Sequence, residues 1–124
     1  MSERKIKHVI TKEMAELCYK TAKSIFPNEN EIKEAAKDIS NKTGMNFGSA
    51  KDYLKNFFLM IQGIKLSHNM SERDTRYYFD NINKDYGKDT LRKAITSLQL
   101  YLVADKQNHP GLQKIINEYE IKIQ

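Results

Sequence analysis

Apolar positions recur along this chain three and four residues apart, the spacing of one face of an α-helix. Thr11 can cap a first helix from about Lys12 to Phe26, with Met14, Leu17, Cys18, Ala22 and Ile25 on one side. Pro27 ends it, because proline supplies no N–H and crowds the preceding turn. Asn28 or Asn30 restarts a second helix with Ile32, Ala35, Ala36 and Ile39 inward, up to Gly44. A third runs to Gly63, and a connector carrying Lys65 and His68 leads to Met70. Ser71 begins a fourth, with Asp74 three residues on in the manner of a capping box. It bears Tyr77, Tyr78, Phe79, Ile82 and Tyr86 and stops at Gly87. Asp89 or Thr90 opens a fifth, striped by Leu91, Ala94, Ile95, Leu98, Tyr101 and Leu102. Pro110 suits the first turn of a last helix, which uses Leu112, Ile115, Ile116 and Tyr119. That helix reaches Gln124 without a stop signal, the pattern expected of one module in a longer chain. No run alternates long enough for a sheet. The expected fold is all-α: a compact bundle of five or six helices over residues 11–124, preceded by an arm over residues 1–10.

The stretch from Ile39 to Ile61 organises the rest. Gly44 can take the left-handed conformation that closes a helix, and Asn46 or Ser49 can cap the next one. Small residues at Ser40 and Ala50 let the two helices cross closely, as in a DNA-binding helix-turn-helix. An ordinary glycine-closed helical hairpin fits the same spacing. The third helix has two characters. Its first turns offer Asn46, Phe47, Ser49, Lys51, Asp52 and Lys55, while Phe57-Phe58-Leu59-Met60-Ile61 is apolar on every side and must be enclosed. The front half is the candidate for a partner and the back half for the centre of the core.

Charge adds a direction. The formal net charge is +5, a mild bias toward phosphate-bearing partners. Residues 29–55 balance five lysines with five acids, whereas Arg4, Lys5, Lys7 and Lys12 face only Glu3 at the start of the chain. The arm is thus the one strongly one-sided segment, fit either to lie along nucleic acid or to fray in solvent. Cys18 is the single cysteine, and it falls in an apolar stripe as a small core residue. A lone thiol, no signal peptide and no membrane-length apolar run lead us to expect a reducing, cytoplasmic setting.

Catalytic chemistry has little to stand on. His8, His68 and His109 are far apart and lack the close partners of a metal site, so surface or loop positions explain them best. Asp80, Asp85 and Asp89 read as solvated or capping acids near helix ends. No phosphate-cradling glycine loop or nucleophile elbow is present. We expect no enzyme, no metal and no cofactor.

Thr43-Gly44-Met45-Asn46 with Ser49-Ala50, Asp52-Tyr53, Phe57, Met60 and Gly63 resembles a helical module that precedes the nuclease domain in bacterial HNH-type and other restriction-type endonucleases. Met70, Thr75, Tyr77-Tyr78-Phe79, Ile82, Asp85-Tyr86-Gly87, Leu91, Ala94 and Leu98 extend the resemblance to about residues 10–105. The chain holds no counterpart of the nuclease residues. The resemblance therefore implies an accessory or target-recognition role. Two function classes follow. One is a module binding duplex DNA through Arg4, Lys5, Lys7, Asn46, Phe47, Ser49, Lys51 and Lys55, with base contacts from the helix after Gly44. The other is a protein-interaction or dimerisation module, such as a small phage or mobile-element protein that binds another protein. Three consecutive aromatics sweep about 200° of a helix, so Tyr77, Tyr78 and Phe79 either lie between neighbours or offer a tyrosine to that partner.

Overall fold

A computed structural model describes residues 9–124 and shows six α-helices, with no strand among the described residues. They are α1 (Lys12–Ile25), α2 (Ile32–Thr43), α3 (Phe47–Gln62), α4 (Glu72–Tyr86), α5 (Lys88–Ala104) and α6 (Pro110–Lys122), with a short 3₁₀ turn at Glu29–Glu31 before α2. No helix among these residues is long and apolar enough to cross a membrane.

Caps set most of the boundaries. Thr11 accepts the Met14 N–H through its hydroxyl, while the Met14 sulfur accepts the Thr11 N–H in return. Asn46 and Ser71 likewise accept the N–H groups of Ser49 and Asp74, each satisfying one orphan donor of a first turn. Gly44 closes α2 at φ +81 with its N–H on the Ser40 carbonyl. Two expected starts differ. Neither Asn28 nor Asn30 caps through its side chain, because the 3₁₀ turn leads into α2. α5 begins at Lys88 directly after Gly87, earlier than Asp89 or Thr90.

The centre is α3, which packs against α1, α2 and α5. Ala50, Tyr53 and Leu54 are buried in its front half, and Asn56 through Met60 are buried without interruption. Phe57 stands edge-on to Tyr19 at 5.2 Å, and Phe26 of the α1 end meets Phe58 at 5.0 Å. In α1 the deepest face is Ala15, Cys18, Tyr19 and Ala22, whereas Met14, Leu17 and Ile25 sit at its edge. The stripe read from spacing is therefore turned by about one residue, since Tyr19 reaches further inward than the aliphatic residues beside it. Burial pushes the Cys18 thiol up to about 12, with Asp74 adding to the shift, so it stays protonated and inert at neutral pH.

α4 closes the bundle through its carboxylates. Asp85 accepts the Tyr19 hydroxyl of α1 at 2.9 Å, Asp74 that of Tyr53 of α3 at 2.6 Å, and Asp80 that of Tyr119 of α6 at 2.6 Å. This corrects two expectations. Asp80 and Asp85 are joints between helices instead of plain solvated acids. Asp74 does not reach back to complete a capping box, because its buried carboxylate is taken by Tyr53 and by the Arg73 guanidinium.

Three outcomes test this packing. Phe57→Ala empties a fully enclosed site and should cost about 3–5 kcal/mol in thermal or denaturant melts; a change near zero would remove α3 from the centre. Gly44→Ala meets no atom within 4 Å, so its cost comes from the left-handed backbone alone, about 1–2 kcal/mol. Melting at the parental temperature would contradict that conformation. Asp85 supplies the third. Burial raises its pKa, but hydrogen bonds from Lys23 and Tyr19 outweigh this and leave it below the ordinary value. A depressed folded pKa stabilises above the unfolded value, and this contribution is lost as pH falls through the folded one. Asp85→Asn should therefore lose less stability than the parent between about pH 5 and pH 2. Identical acid profiles would show the joint to be idle.

Candidate nucleic-acid interface

Three residues, Gly44-Met45-Asn46, join α2 to α3. Thr43 tightens the turn by donating its hydroxyl to the Ile39 carbonyl at 2.7 Å and accepting the Met45 N–H at 3.0 Å. Met45 is buried, with its sulfur 3.6 Å from that of Cys18 on α1. The turn is thus pinned against α1, and α1, α2 and α3 pack on one another pairwise. A three-residue turn containing glycine is the kind of connection a helix-turn-helix uses.

α3 leaves the turn with Ala50, Tyr53 and Leu54 inward. Phe47, Lys51 and Lys55 follow at intervals of four along one side of the helix, with Phe47 half-buried against the edge of the core and Lys51 exposed. The Lys51 ammonium lies 5.5 Å from the Phe47 ring centroid, a cation–π contact. Lys55 meets Glu29 of the 3₁₀ turn at 3.2 Å, both side chains being substantially exposed. Ser49 is half-buried beside the cap. Asn46 is committed: its Oδ1 accepts the Ser49 N–H at 3.0 Å. A two-bond contact from Asn46 to adenine needs that same oxygen, so base reading there competes with capping. Arg4, Lys5 and Lys7, the remaining candidates, lie outside the described residues.

The structure brings in three residues that the sequence left aside. An open depression of roughly 330 Å³ is lined by Glu29, Ile32, Lys33, Lys51, Asp52, Lys55, Ser67 and His68. Lys33 comes from the first turn of α2, and Ser67 and His68 from the connector before α4. The His68 Nδ1 lies 3.3 Å from Asp52 on α3. The connector is held there from inside the core, where the buried Asn56 amide donates to the His68 carbonyl at 2.9 Å. No sequence spacing announces this meeting, which joins three separate elements.

The aromatic face foreseen for a protein partner is not available as a unit. Tyr78 and Phe79 have no exposed surface, Tyr78 giving its hydroxyl to the Tyr53 carbonyl and Phe79 standing edge-on to Tyr119. Tyr77 is half-buried against Tyr19 at 5.8 Å. Three side chains spread over this arc must be shared among neighbouring helices, and α4 packs against α1, α5 and α6. Of the histidines, His8 lies outside the described residues, His68 is exposed, and His109 is largely covered and bonded to Asp105 at 2.6 Å. Among the described residues no group of three or more His, Cys, Asp or Glu is disposed to hold a metal ion.

The arrangement offers ammonium groups, an imidazole and a hydroxyl at the mouth of an open depression, beside a rigid helix start. That chemistry suits binding an anion. Comparisons of the chain with protein-family models, with curated proteins and with solved structures found no match.

Proposed function

We propose that this chain is a non-catalytic module that binds duplex DNA through the first two turns of α3, as the target-recognition part of a restriction or mobile-element type system. The observation that carries the reading is the row of Phe47, Lys51 and Lys55. Lys51 and Lys55 reach solvent beside the half-buried Phe47, from a helix whose start is fixed by the Gly44 turn and whose rear is locked in the core. Groove recognition needs this combination, because base contacts from a wandering helix would lose their register. Lys51 can reach guanine acceptors, Phe47 can meet a thymine methyl, and Lys55 is placed for the backbone. The resemblance to modules that precede nuclease domains favours the same role.

Electrostatics sets the scale. Glu29 and Asp52 sit among the lysines of the depression, so the face is only mildly cationic. Log affinity should fall with log salt at about −0.9 per phosphate neutralised, and we expect roughly three to six such contacts. Removing residues 1–8 should flatten that slope if Arg4, Lys5 and Lys7 lie along the backbone.

Fluorescence anisotropy on a preferred duplex and on random duplexes tests the assignment. Lys51→Ala should cost about 1–3 kcal/mol on the preferred site and little on random sequence. Lys55→Ala should weaken both alike. Asn46→Ala should lower the melting temperature by the loss of a cap worth about 1 kcal/mol. If Lys51→Ala and Lys55→Ala bind every duplex like the parent, α3 does not read DNA.

A further inference from the structure

The depression beside α3 is more than the flank of a recognition helix. Its two acids already have neighbours, Glu29 with the Lys55 ammonium at 3.2 Å and Asp52 with the His68 Nδ1 at 3.3 Å. Lys33 and Lys51 form no ion pair among the described residues, and Ser67 adds a hydroxyl at the same mouth. The position of His68 is built. Asn56 has no exposed surface, and its amide holds the His68 carbonyl at 2.9 Å. Its Oδ1 is buried without a partner among the described residues. An apolar residue would avoid that cost, so the amide is placed to fix the connector. Next along the connector, the Leu66 side chain is buried and its N–H donates to the Ser97 carbonyl at 3.1 Å. The connector is therefore anchored at Leu66 by α5 and at His68 by α3.

We propose that this depression is a seat for one phosphate group, held between Lys33 of α2 and His68 of the connector, with Lys55 on the α3 side. The proposal deepens the DNA-binding reading and rests on it for the phosphate's source, a backbone phosphodiester; free phosphate is the other source of the same chemistry. Seating the anion exchanges one partner for another. Lys55 turns from the exposed Glu29 carboxylate to the phosphate, an exchange of two surface contacts of similar strength. His68 contributes in one protonation state. Its Nδ1–H faces Asp52, so Nε2 donates to a phosphate only when the ring carries both protons. The charged groups around it are Glu29, Lys33, Lys51, Asp52 and Lys55.

The test combines anisotropy on a short duplex with amide NMR shifts, using the parent, Lys33→Ala, His68→Ala and Glu29→Gln. Lys33→Ala and His68→Ala should each weaken duplex binding by up to about fivefold, the range of one exposed ion pair. Glu29→Gln should tighten it, because the competing carboxylate is gone. The Ser67 and His68 amides should shift on adding duplex. If the duplex binds the parent and all three variants equally, with those amides still, the seat is overturned and the α3 reading stands. Should inorganic phosphate shift them at constant ionic strength while the duplex binds nowhere, the seat holds for free phosphate and the DNA reading falls. If neither ligand moves any amide, both fall.

Discussion

The enclosure of residues 56–60 on α3 is the constraint from which the rest follows. Five successive buried residues cover every side of a helix, so neighbours must surround it. α1, α2 and α5 do so, and aromatic edges from Tyr19 and Phe26 fill the gaps around Phe57 and Phe58. A helix gripped this way has no freedom to slide or roll, because interiors are packed to crystal-like density. Its front half inherits that rigidity. The direction in which Phe47, Lys51 and Lys55 point is decided two turns away, in the core.

The second organising device is electrostatic. α4 carries Asp74, Asp80 and Asp85, and each accepts a tyrosine hydroxyl from a different helix. Burial, followed by these carboxylates, pushes Tyr19, Tyr53 and Tyr119 well above the ordinary phenol value, so each remains a donor across the physiological range. Hydrogen bonds to a carboxylate are roughly twice as strong as neutral ones. They are also directional, which hydrophobic contact is not. The apolar core draws the helices together, and the tyrosine–aspartate joints fix α4 in register against α1, α3 and α6.

What the sequence disclosed follows from how local each signal is. Thr11, Asn46, Ser71 and Pro110 act within their own first turns, and Gly44 within its own backbone, so the residues alone placed these boundaries to within a residue or two. The all-α class followed from the three-and-four spacing, and the enclosure of Phe57 through Ile61 from their being consecutive, although Ile61 at the end of the run is only half-buried. The tyrosine–aspartate joints stayed hidden because Tyr19 and Asp85 lie 66 positions apart, and an acid near a helix end reads as solvated until its partner is known. The Tyr77-Tyr78-Phe79 run was correctly too wide for one face, yet only the neighbours of α4 decide that it turns inward. Lys33, Ser67 and His68 were invisible as a group. They meet through the buried Asn56 amide, and a polar residue inside an apolar run carries no address for its partner.

The balance of charge on the candidate face constrains how it can work. Nonspecific attraction to a phosphate backbone grows with each cation that releases a counterion. Here Glu29 lies against Lys55 and Asp52 beside the His68 ring, so two carboxylates stand among the three lysines that line the depression. A face so neutralised gives little indiscriminate binding. On the DNA-binding proposal, affinity for a chosen site would come from contacts that the right base sequence alone completes, or from a second cationic element acting with this one. Arg4, Lys5 and Lys7 are the chain's own supply of such an element. Weak background attraction is an advantage for a recognition module, because the ratio of specific to nonspecific binding decides where a protein sits on a long duplex. The carboxylates that make α3 look like a poor DNA binder are thus the groups that would make it a selective one.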